Sequence, residues 1–458
     1  PPPMHGGDII GEVLSLRGIG HLFTLCGGHI SPILVGAKRC GIRVVDMREE
    51  VNAVFAADAC ARLTGNVGVA AVTAGPGVTN TITAMKNAQM AESPVLLFGG
   101  ATATVLRGRG SLQDIDQISI LSPITKWATR VTTHKSLGPT VERAMDIALS
   151  GVPGPVFVEV PIDLLYPEKT VREWTMQEAT MKGPLGDALR LYLRGHLYRQ
   201  FEQPHVPLHA PELPSLADLT LPGDPHAKID AVIEALSGAK RPLLVLGSQT
   251  LVSQREPERI AEAVRGLGIP VYLGGMARGL LGKTSDIQFR HERGKALREA
   301  DLVIVAGFPF DFRLKYGQAI PRSAKLVAVN LSSGTLRKNR IADIAIRMHP
   351  GDMLRELCSR AGSAGAGRAD WLATLRKRED ARDAEIGKDP PKTPGRVHPI
   401  RFFLELEKKL ADDAILVADG GDFVGTGSYI LRPRGPLAWL DPGVYGTLGV
   451  GGGFATGA

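Results

Sequence analysis

The first part of the chain, residues 7 to about 165, alternates short apolar runs with longer stretches rich in alanine and leucine. Short apolar runs bounded by turn signals predict strands that are buried on both faces, and the stretches between them predict helices. Three such strands are predicted at residues 41–46, 67–72 and 94–98. Strands that alternate with helices in this way predict a parallel sheet covered by helices.

The same alternation returns twice further along the chain. A second unit has predicted strands at residues 241–247, 269–273, 302–307 and 325–329, and a third has a predicted helix around 402–406 and a predicted strand at 414–419. We therefore expect an α/β protein with three doubly wound parallel-sheet domains, the third of them incomplete. The predicted domains are residues 6–167, 226–362 and 398–458.

Two linkers are predicted between these domains. Residues 168–225 are rich in proline, and residues 363–397 carry mixed charges and are predicted to form a solvated helix and a linker. Within the first linker, residues 185–194 are amphipathic. This stretch could lie on a membrane surface, although packing against a neighbouring domain is the favoured interpretation.

Composition narrows the class of protein. The 458 residues are 44% hydrophobic and 22% charged, as in ordinary globular proteins. The net charge is +7, but the charges are interspersed and aromatic residues make up only 5%, so nucleic-acid binding is not expected. The four cysteines form no Cys-x-x-Cys pair and are predicted to be free thiols. No signal peptide or membrane-spanning run is visible, and an N-terminal targeting or anchor segment could have been lost before Pro1.

Two segments carry the candidate chemistry. Glu50 stands at the start of a predicted small-residue helix, and Gly75-Pro76-Gly77 forms a predicted strand-to-helix turn. The two glycines allow a ligand to approach the backbone closely, and the proline fixes the turn. Each segment alone also has a plain structural interpretation, since a glutamate at a helix start can simply complement the helix dipole and Gly-Pro-Gly is a common turn.

Taken with its neighbours, this pair resembles the thiamine diphosphate (ThDP) enzymes of the acetolactate synthase type. The resemblance covers about 150 residues in order and spacing, and it rests on the segments 18–23, 26–29, 86–89, 93–96, 110–114 and 154–161. Other segments spread over the whole chain are most similar to the 2-hydroxyacyl-CoA lyases of that family. The resemblance implies the ThDP-enzyme arrangement of domains.

The resemblance also assigns roles in the first domain. Glu50 would meet the aminopyrimidine ring of ThDP, although the chain has Glu49 where the family usually has histidine. Gln113 would face the thiazolium ring and the substrate. His29 would border the same cavity, either transferring a proton or only ordering its loop. The implied cofactor contacts in this domain are Gly28, Thr73, Gly75, Pro76, Gly77 and Asn80.

In the third domain the resemblance implies a site for the cofactor's diphosphate. A helix start after a predicted strand offers backbone N–H groups to an anion. The implied contacts are Gly421, Asp422, Phe423, Thr447 and Leu448. The family binds Mg²⁺ through Gly-Asp-Gly and a later asparagine, and Gly-Asp-Gly does not occur in this sequence. No metal ligand is therefore assigned, and we expect a shortened form that is inactive by itself.

The family leaves the ligand of the central domain open, because its members bind FAD, ADP or CoA there. Arg278 and Arg313 are candidate phosphate contacts, or they hold ordinary salt bridges. The resemblance implies cleavage of a 2-hydroxyacyl-CoA to a shortened aldehyde and formyl-CoA, in fatty acid alpha-oxidation at the endoplasmic reticulum, by a homodimer or tetramer. The alternatives are acetolactate synthase-type condensation of pyruvate with FAD, and a non-catalytic paralogue that acts as a binding partner.

Overall fold

The computed structural model describes residues 5–201, 225–361, 368–388 and 394–458. The chain divides into two compact units, Pro1–Pro214 with Gly452–Ala458, and Ser215–Gly451. Each unit contains a six-stranded sheet, and every strand pair in both sheets is parallel. The predicted α/β class with parallel-sheet domains is therefore confirmed. The prolines 204–222 of the predicted linker lie outside the described residues.

The sheet of the first unit has the strand order β2-β1-β3-β4-β6-β5. Its strands are β1 (His21–Leu25), β2 (Arg43–Asp46), β3 (Gly68–Val72), β4 (Val95–Ala101), β5 (Trp127–Arg130) and β6 (Val156–Pro161). The helices of this unit are α1 (Gly6–Leu16), α2 (Ser31–Arg39), α3 (Glu50–Thr64), α4 (Pro76–Thr79), α5 (Ile82–Met90), α6 (Gln117–Leu121), α7 (Leu137–Leu149), α8 (Glu168–Glu178) and α9 (Pro184–Phe201).

The central strands of this sheet are buried on both faces, as predicted. Every residue of β3 and β4 is buried. Burial on both faces is wrong for β2, in which no residue is fully buried. The physical reason is its place in the sheet, because β2 lies at the edge and, among the described strands, pairs only with β1.

The second unit repeats this plan with the strand order β12-β11-β10-β7-β8-β9. Leu244 and Ile304 pack into one apolar cluster while Val245 and Val305 pack into another, so helices cover both faces. Its strands are β7 (Pro242–Leu246), β8 (Val271–Leu273), β9 (Gln288–Phe289), β10 (Leu302–Ala306), β11 (Lys325–Val329) and β12 (Ile344–Ile346). Its helices to this point are α10 (Pro225–Gly238), α11 (Pro257–Leu267), α12 (Arg293–Glu299), α13 (Ser333–Arg337) and α14 (Pro350–Ala361).

The segment predicted as the third domain forms a small two-stranded parallel sheet with helices. Two strands pair in parallel between the helices, and residues up to Gly451 belong to the second unit. The elements are α16 (Pro399–Lys409), β13 (Leu416–Val417), α17 (Asp422–Ile430), β14 (Trp439–Leu440) and α18 (Val450–Gly457).

Both predicted linkers contain helices that pack. In the charged one, α15 (Ala369–Ile386) buries Trp371 and Leu375 in the second unit's core, so the expectation of a solvated helix is wrong for one face. In the proline-rich one, α8 and α9 precede the prolines, and α9 buries Leu193 and Leu197 in the first unit. The domain boundaries themselves stay predictions.

The end of α18 belongs to the first unit and covers α3. The rings of Phe55 and Phe454 meet edge to face with centroids 5.9 Å apart, and the Arg62 guanidinium lies 4.9 Å from the centre of the Phe454 ring. A Cβ built on Gly457 would stand only 2.1 Å from the carbonyl oxygen of Ala56. Only glycine allows this approach of the two helices.

Candidate functional site

The candidate site lies at the carboxyl ends of β1 and β3. The chain leaves β1 toward the β2 side of the sheet, whereas β3 and β4 continue on the opposite side. Such a reversal of strand order opens a crevice outside the carboxyl ends, where α/β proteins bind ligands. The loop with His29 follows β1, and the turn with Gly75 follows β3. The topology therefore brings the two predicted loops to one crevice.

Glu50 is half-buried and is the first residue of α3, where the helix dipole favours a negative charge. Its Oε2 accepts a hydrogen bond of 3.0 Å from Asn80 Nδ2. Its Oε1 has no hydrogen-bond partner within the described residues and lies 3.6 Å from the position of a Cβ built on Gly77. Glu49 instead accepts from Asn52 at 3.4 Å and is exposed. One oxygen of Glu50 is thus fixed and the other is open to a donor.

The turn after β3 needs its glycines. Gly75 has φ of +61°, and a Cβ there would lie 2.9 Å from Cβ of Gln113. Gly77 is buried, and a Cβ there would lie 2.8 Å from Thr73 Cγ2. Pro76 begins α4, and Asn80 follows its last residue. The turn therefore carries Asn80 to Glu50, and any side chain at position 77 would press against Thr73 beside the Glu50 carboxylate.

The loop after β1 closes the other side of the crevice. His29 Nδ1 lies 3.2 Å from Thr73 Oγ1, so the two predicted loops contact each other. Burial lowers the pKa of His29 below its usual value of 6.5, and the ring is therefore neutral at pH 7. Gly28 is exposed with no atom within 4 Å of a built Cβ. His29 can accept or donate one proton from this position.

Gln113 borders this turn, and beneath the turn lies a buried polar network that the sequence motifs did not indicate. Gln117 is 2% exposed, and its Oε1 accepts from the Gly75 N–H at 2.9 Å. Its Nε2 donates to Gly100 O at 3.1 Å and to Glu159 Oε2 at 2.9 Å, and Arg130 pairs with Glu159. A charged residue inside the apolar strand β6 was the sequence signal that could have found this network.

A cavity of about 190 Å³ lies beside Gln113. Its walls come from the carboxyl ends of β4, β5 and β6 and from the loop before α6. Ala101, Val131 and Pro161 supply an apolar wall, and Thr104 and Gln113 supply polar groups. A largely apolar pocket with a few polar groups is the usual form of a small-molecule site.

The second predicted group of cofactor contacts is brought together in the second unit. Gly421 has φ of +80° and caps α17, which begins at Asp422. A Cβ on the adjacent Gly420 would lie 2.6 Å from Thr447 O and 2.8 Å from Leu448 Cδ2. The side chains that face solvent around this helix start are Asp422, Phe423 and Leu448. The roles of these residues stay predictions.

The two candidate phosphate contacts already have partners. Arg313 forms a two-pronged ion pair with Asp311, at 3.1 and 2.7 Å. Arg278 donates to Ser428 O at 2.8 Å and lies 5.6 Å from the ring centre of Trp439. Burial lowers the pKa of Arg278 to about 10.

One cluster within the described residues has metal-like spacing, formed by His291, Glu379 and Asp383. Its oxygens are already used, because Glu379 and Asp383 accept hydrogen bonds from Arg290, and Asp383 also pairs with Arg432. A cation would meet guanidinium groups there, so these residues do not fit Mg²⁺.

Comparison with known proteins identifies the family of this chain. Two family models match, "Thiamine pyrophosphate enzyme, N-terminal TPP binding domain" at residues 4–120 and "Thiamine pyrophosphate enzyme, central domain" at residues 229–357. The chain is 48% identical to 2-hydroxyacyl-CoA lyase 2 of Caenorhabditis elegans, covering 99% of this chain and 71% of that protein. This chain belongs to the thiamine pyrophosphate enzyme family.

Two further relatives show how far the similarity extends within this family. Identity to 2-hydroxyacyl-CoA lyase 2 of Danio rerio is 49%, over 100% of this chain and 73% of the relative. Identity to the acetolactate synthase large subunit IlvG of Mycobacterium tuberculosis is 32%, over 99% of this chain and 76% of the relative.

Thiamine pyrophosphate is another name for ThDP. The crevice in the first unit fits the pyrimidine end of this cofactor. The open Oε1 of Glu50 can accept a hydrogen bond from the ring, and a side chain at Gly77 would enter the space beside it. Asn80 holds the second oxygen in place.

Proposed function

We propose that the protein is a ThDP-dependent carbon–carbon lyase that cleaves a 2-hydroxyacyl-CoA to a shortened aldehyde and formyl-CoA. The observation that carries the proposal is the carboxylate of Glu50, fixed by Asn80 at 3.0 Å with its other oxygen open. The names of the relatives that are 48% and 49% identical support this substrate class.

In this proposal the residues of the first unit bind and orient the cofactor. When bound, ThDP supplies a nucleophilic carbon and takes up the negative charge left by carbon–carbon cleavage. Glu50 accepts a hydrogen bond at Oε1 and thereby sets the protonation of the pyrimidine ring. Neutral His29 can hold or move a proton at the crevice mouth, and Gln113 borders the substrate side.

The wider proposal follows the relatives and the family. Mg²⁺ would accompany the diphosphate near Gly421 and Asp422, and the central domain would bind FAD, ADP or CoA. The working unit would be a homodimer or tetramer, with a role in fatty acid alpha-oxidation at the endoplasmic reticulum membrane. Within the described residues, no helix is both long and apolar enough to cross a membrane.

The test is a product assay on the natural protein supplied with ThDP and Mg²⁺. We expect formyl-CoA and an aldehyde from a 2-hydroxyacyl-CoA, and loss of both products in Glu50→Gln. Acetolactate from pyruvate, with copurified flavin, would instead support the acetolactate synthase-type alternative, for which the 32% identical relative argues. Neither product, together with a defined protein partner, would support the non-catalytic alternative.

A further inference from the structure

Helix α9 has apolar residues on both of its faces. On the inner face Leu193 and Leu197 are only 7% and 2% exposed. On the outer face Leu191 and Tyr198 are 72% and 58% exposed. Large apolar side chains that share one helix face and are this exposed often mark an interaction surface, and within the described residues of this unit nothing covers them.

The inner face is held firmly. His196 Nε2 lies 2.8 Å from Thr104 Oγ1, and Gln200 Nε2 donates to Asp163 Oδ2 at 2.9 Å. The ring of Phe201 lies 5.6 Å from that of His134. Because these contacts fix the rotation of the helix, its outer face is a preformed surface.

The outer face is rimmed by positive charge. Arg194 and Arg199 are exposed beside the apolar stripe, and Arg194 forms no ion pair with any residue in the described part of the chain. The one acidic residue on the described helix, Asp187, is paired with Arg190 at 2.6 Å. Tyrosine and leucine flanked by arginine is the composition of helices that lie in the membrane interface.

We propose that the outer face of α9, with Leu191 and Tyr198 at its centre, docks on an anionic lipid bilayer and lies in the plane of its headgroups. A second copy of this chain is disfavoured as the occupant, since a two-fold contact through one face would bring its arginines together. An anionic bilayer instead complements the charge of Arg194 and Arg199.

Docking at α9 would also place the membrane near the cavity beside Gln113. Thr104 bonds to His196 of α9 and lines the cavity beside Gln113, so one residue joins the two. A membrane at α9 would present acyl chains close to that cavity. This connection rests on the proposed function, whereas the docking itself does not.

The test is co-sedimentation of the 458-residue chain with lipid vesicles. One set contains phosphatidylcholine alone, and in the other about a third of the lipid is phosphatidylserine. Each arginine at an anionic surface contributes roughly a factor of five, so we expect about thirtyfold stronger binding to the anionic vesicles. Absence of binding to either set, or equal binding to both, would overturn the proposal.

Two matched variants locate the contact. Leu191→Asp should lower vesicle binding by at least about tenfold, because a charged group would enter the headgroup boundary. Leu16→Asp places the same change at another exposed leucine of the first unit, 54% exposed, and should leave binding unchanged. Circular dichroism checks that both variants fold. Unchanged binding of Leu191→Asp, or a lipid-free oligomer that this variant breaks, would show that the face is not a membrane surface.

Discussion

Replacing Gln117 by glutamate tests the buried network beneath the cofactor turn. The side-chain amide accepts from the Gly75 N–H at 2.9 Å and donates to Gly100 O and to Glu159 Oε2 at 3.1 and 2.9 Å. An ionised carboxylate has no donor and would face two acceptors, one of them charged. The new glutamate must therefore bind a proton on folding, and its folded-state pKa lies above its unfolded value.

The magnitude follows from the difference between those two pKa values. An unfolded glutamate has a pKa of about 4.3, and a difference of one in pKa corresponds to about 1.36 kcal/mol. With a folded-state pKa of about 8 or more, Gln117→Glu costs about 3.7 kcal/mol of unfolding free energy at pH 7. The protonated carboxyl also donates one hydrogen bond where the amide donates two, which costs about 1 kcal/mol at every pH.

The sign of the pH dependence is distinctive. Below a pH of about 4.3 both states of the variant are protonated, and only the constant cost remains. The deficit should grow as pH rises from there toward the folded-state pKa. Hydrogen exchange of peptides around Gly75 is the suitable measurement, because a chain of two units need not unfold in one step. A deficit that stays constant between about pH 5 and 8 would refute the network. Gln177→Glu on the exposed side of α8 is the matched control.

Three further variants probe the crevice. Glu50→Gln should abolish hydrogen–deuterium exchange at C2 of ThDP without changing the melting temperature, and retained exchange would remove Glu50 from its assigned role. Asn80→Ala frees one oxygen of Glu50 and should lower kcat/KM about tenfold, which corresponds to the loss of about one hydrogen bond. Unchanged kinetics would mean that the 3.0 Å hydrogen bond from Asn80 to Glu50 has no function. Since burial lowers the pKa of His29, a neutral His29 that takes part should place the acid limb of the kcat/KM profile below pH 6.5, and His29→Gln should remove that limb. A limb that persists in the variant belongs to another group.

The sequence could predict the sheets because their strands are strongly apolar. Residues 67–72 are buried on both faces in the predicted manner, and the predicted strand at 302–307 is found as the buried strand β10. It could not predict that β2 is an edge strand, since edge position depends on which neighbours pair and not on the run itself. The many charges of residues 369–386 predict a solvated helix. They hide the signal of Trp371 and Leu375, the two apolar side chains that anchor this helix in the core.

The residues of the candidate site could be predicted only where they belong to short sequence motifs. Glu50, Gly75 and Asn80 stand out by type and spacing, and the structure brings them together. Gln117 and Glu159 were missed, because their contact joins the first residue of helix α6 to a strand 42 residues away and only the fold creates it. Long-range polar networks of this kind leave no periodic signal in the sequence.

The cover of α3 by Phe454 has a consequence for how the protein is made. The helix that carries Glu50 is completed by residues about four hundred positions later in the chain. At a translation rate of about 5–20 residues per second, that face of α3 waits roughly 20–80 s on the ribosome for its partner. Closure of so distant a contact is also intrinsically slow. The first unit therefore cannot finish folding until the whole of the second unit has been synthesised.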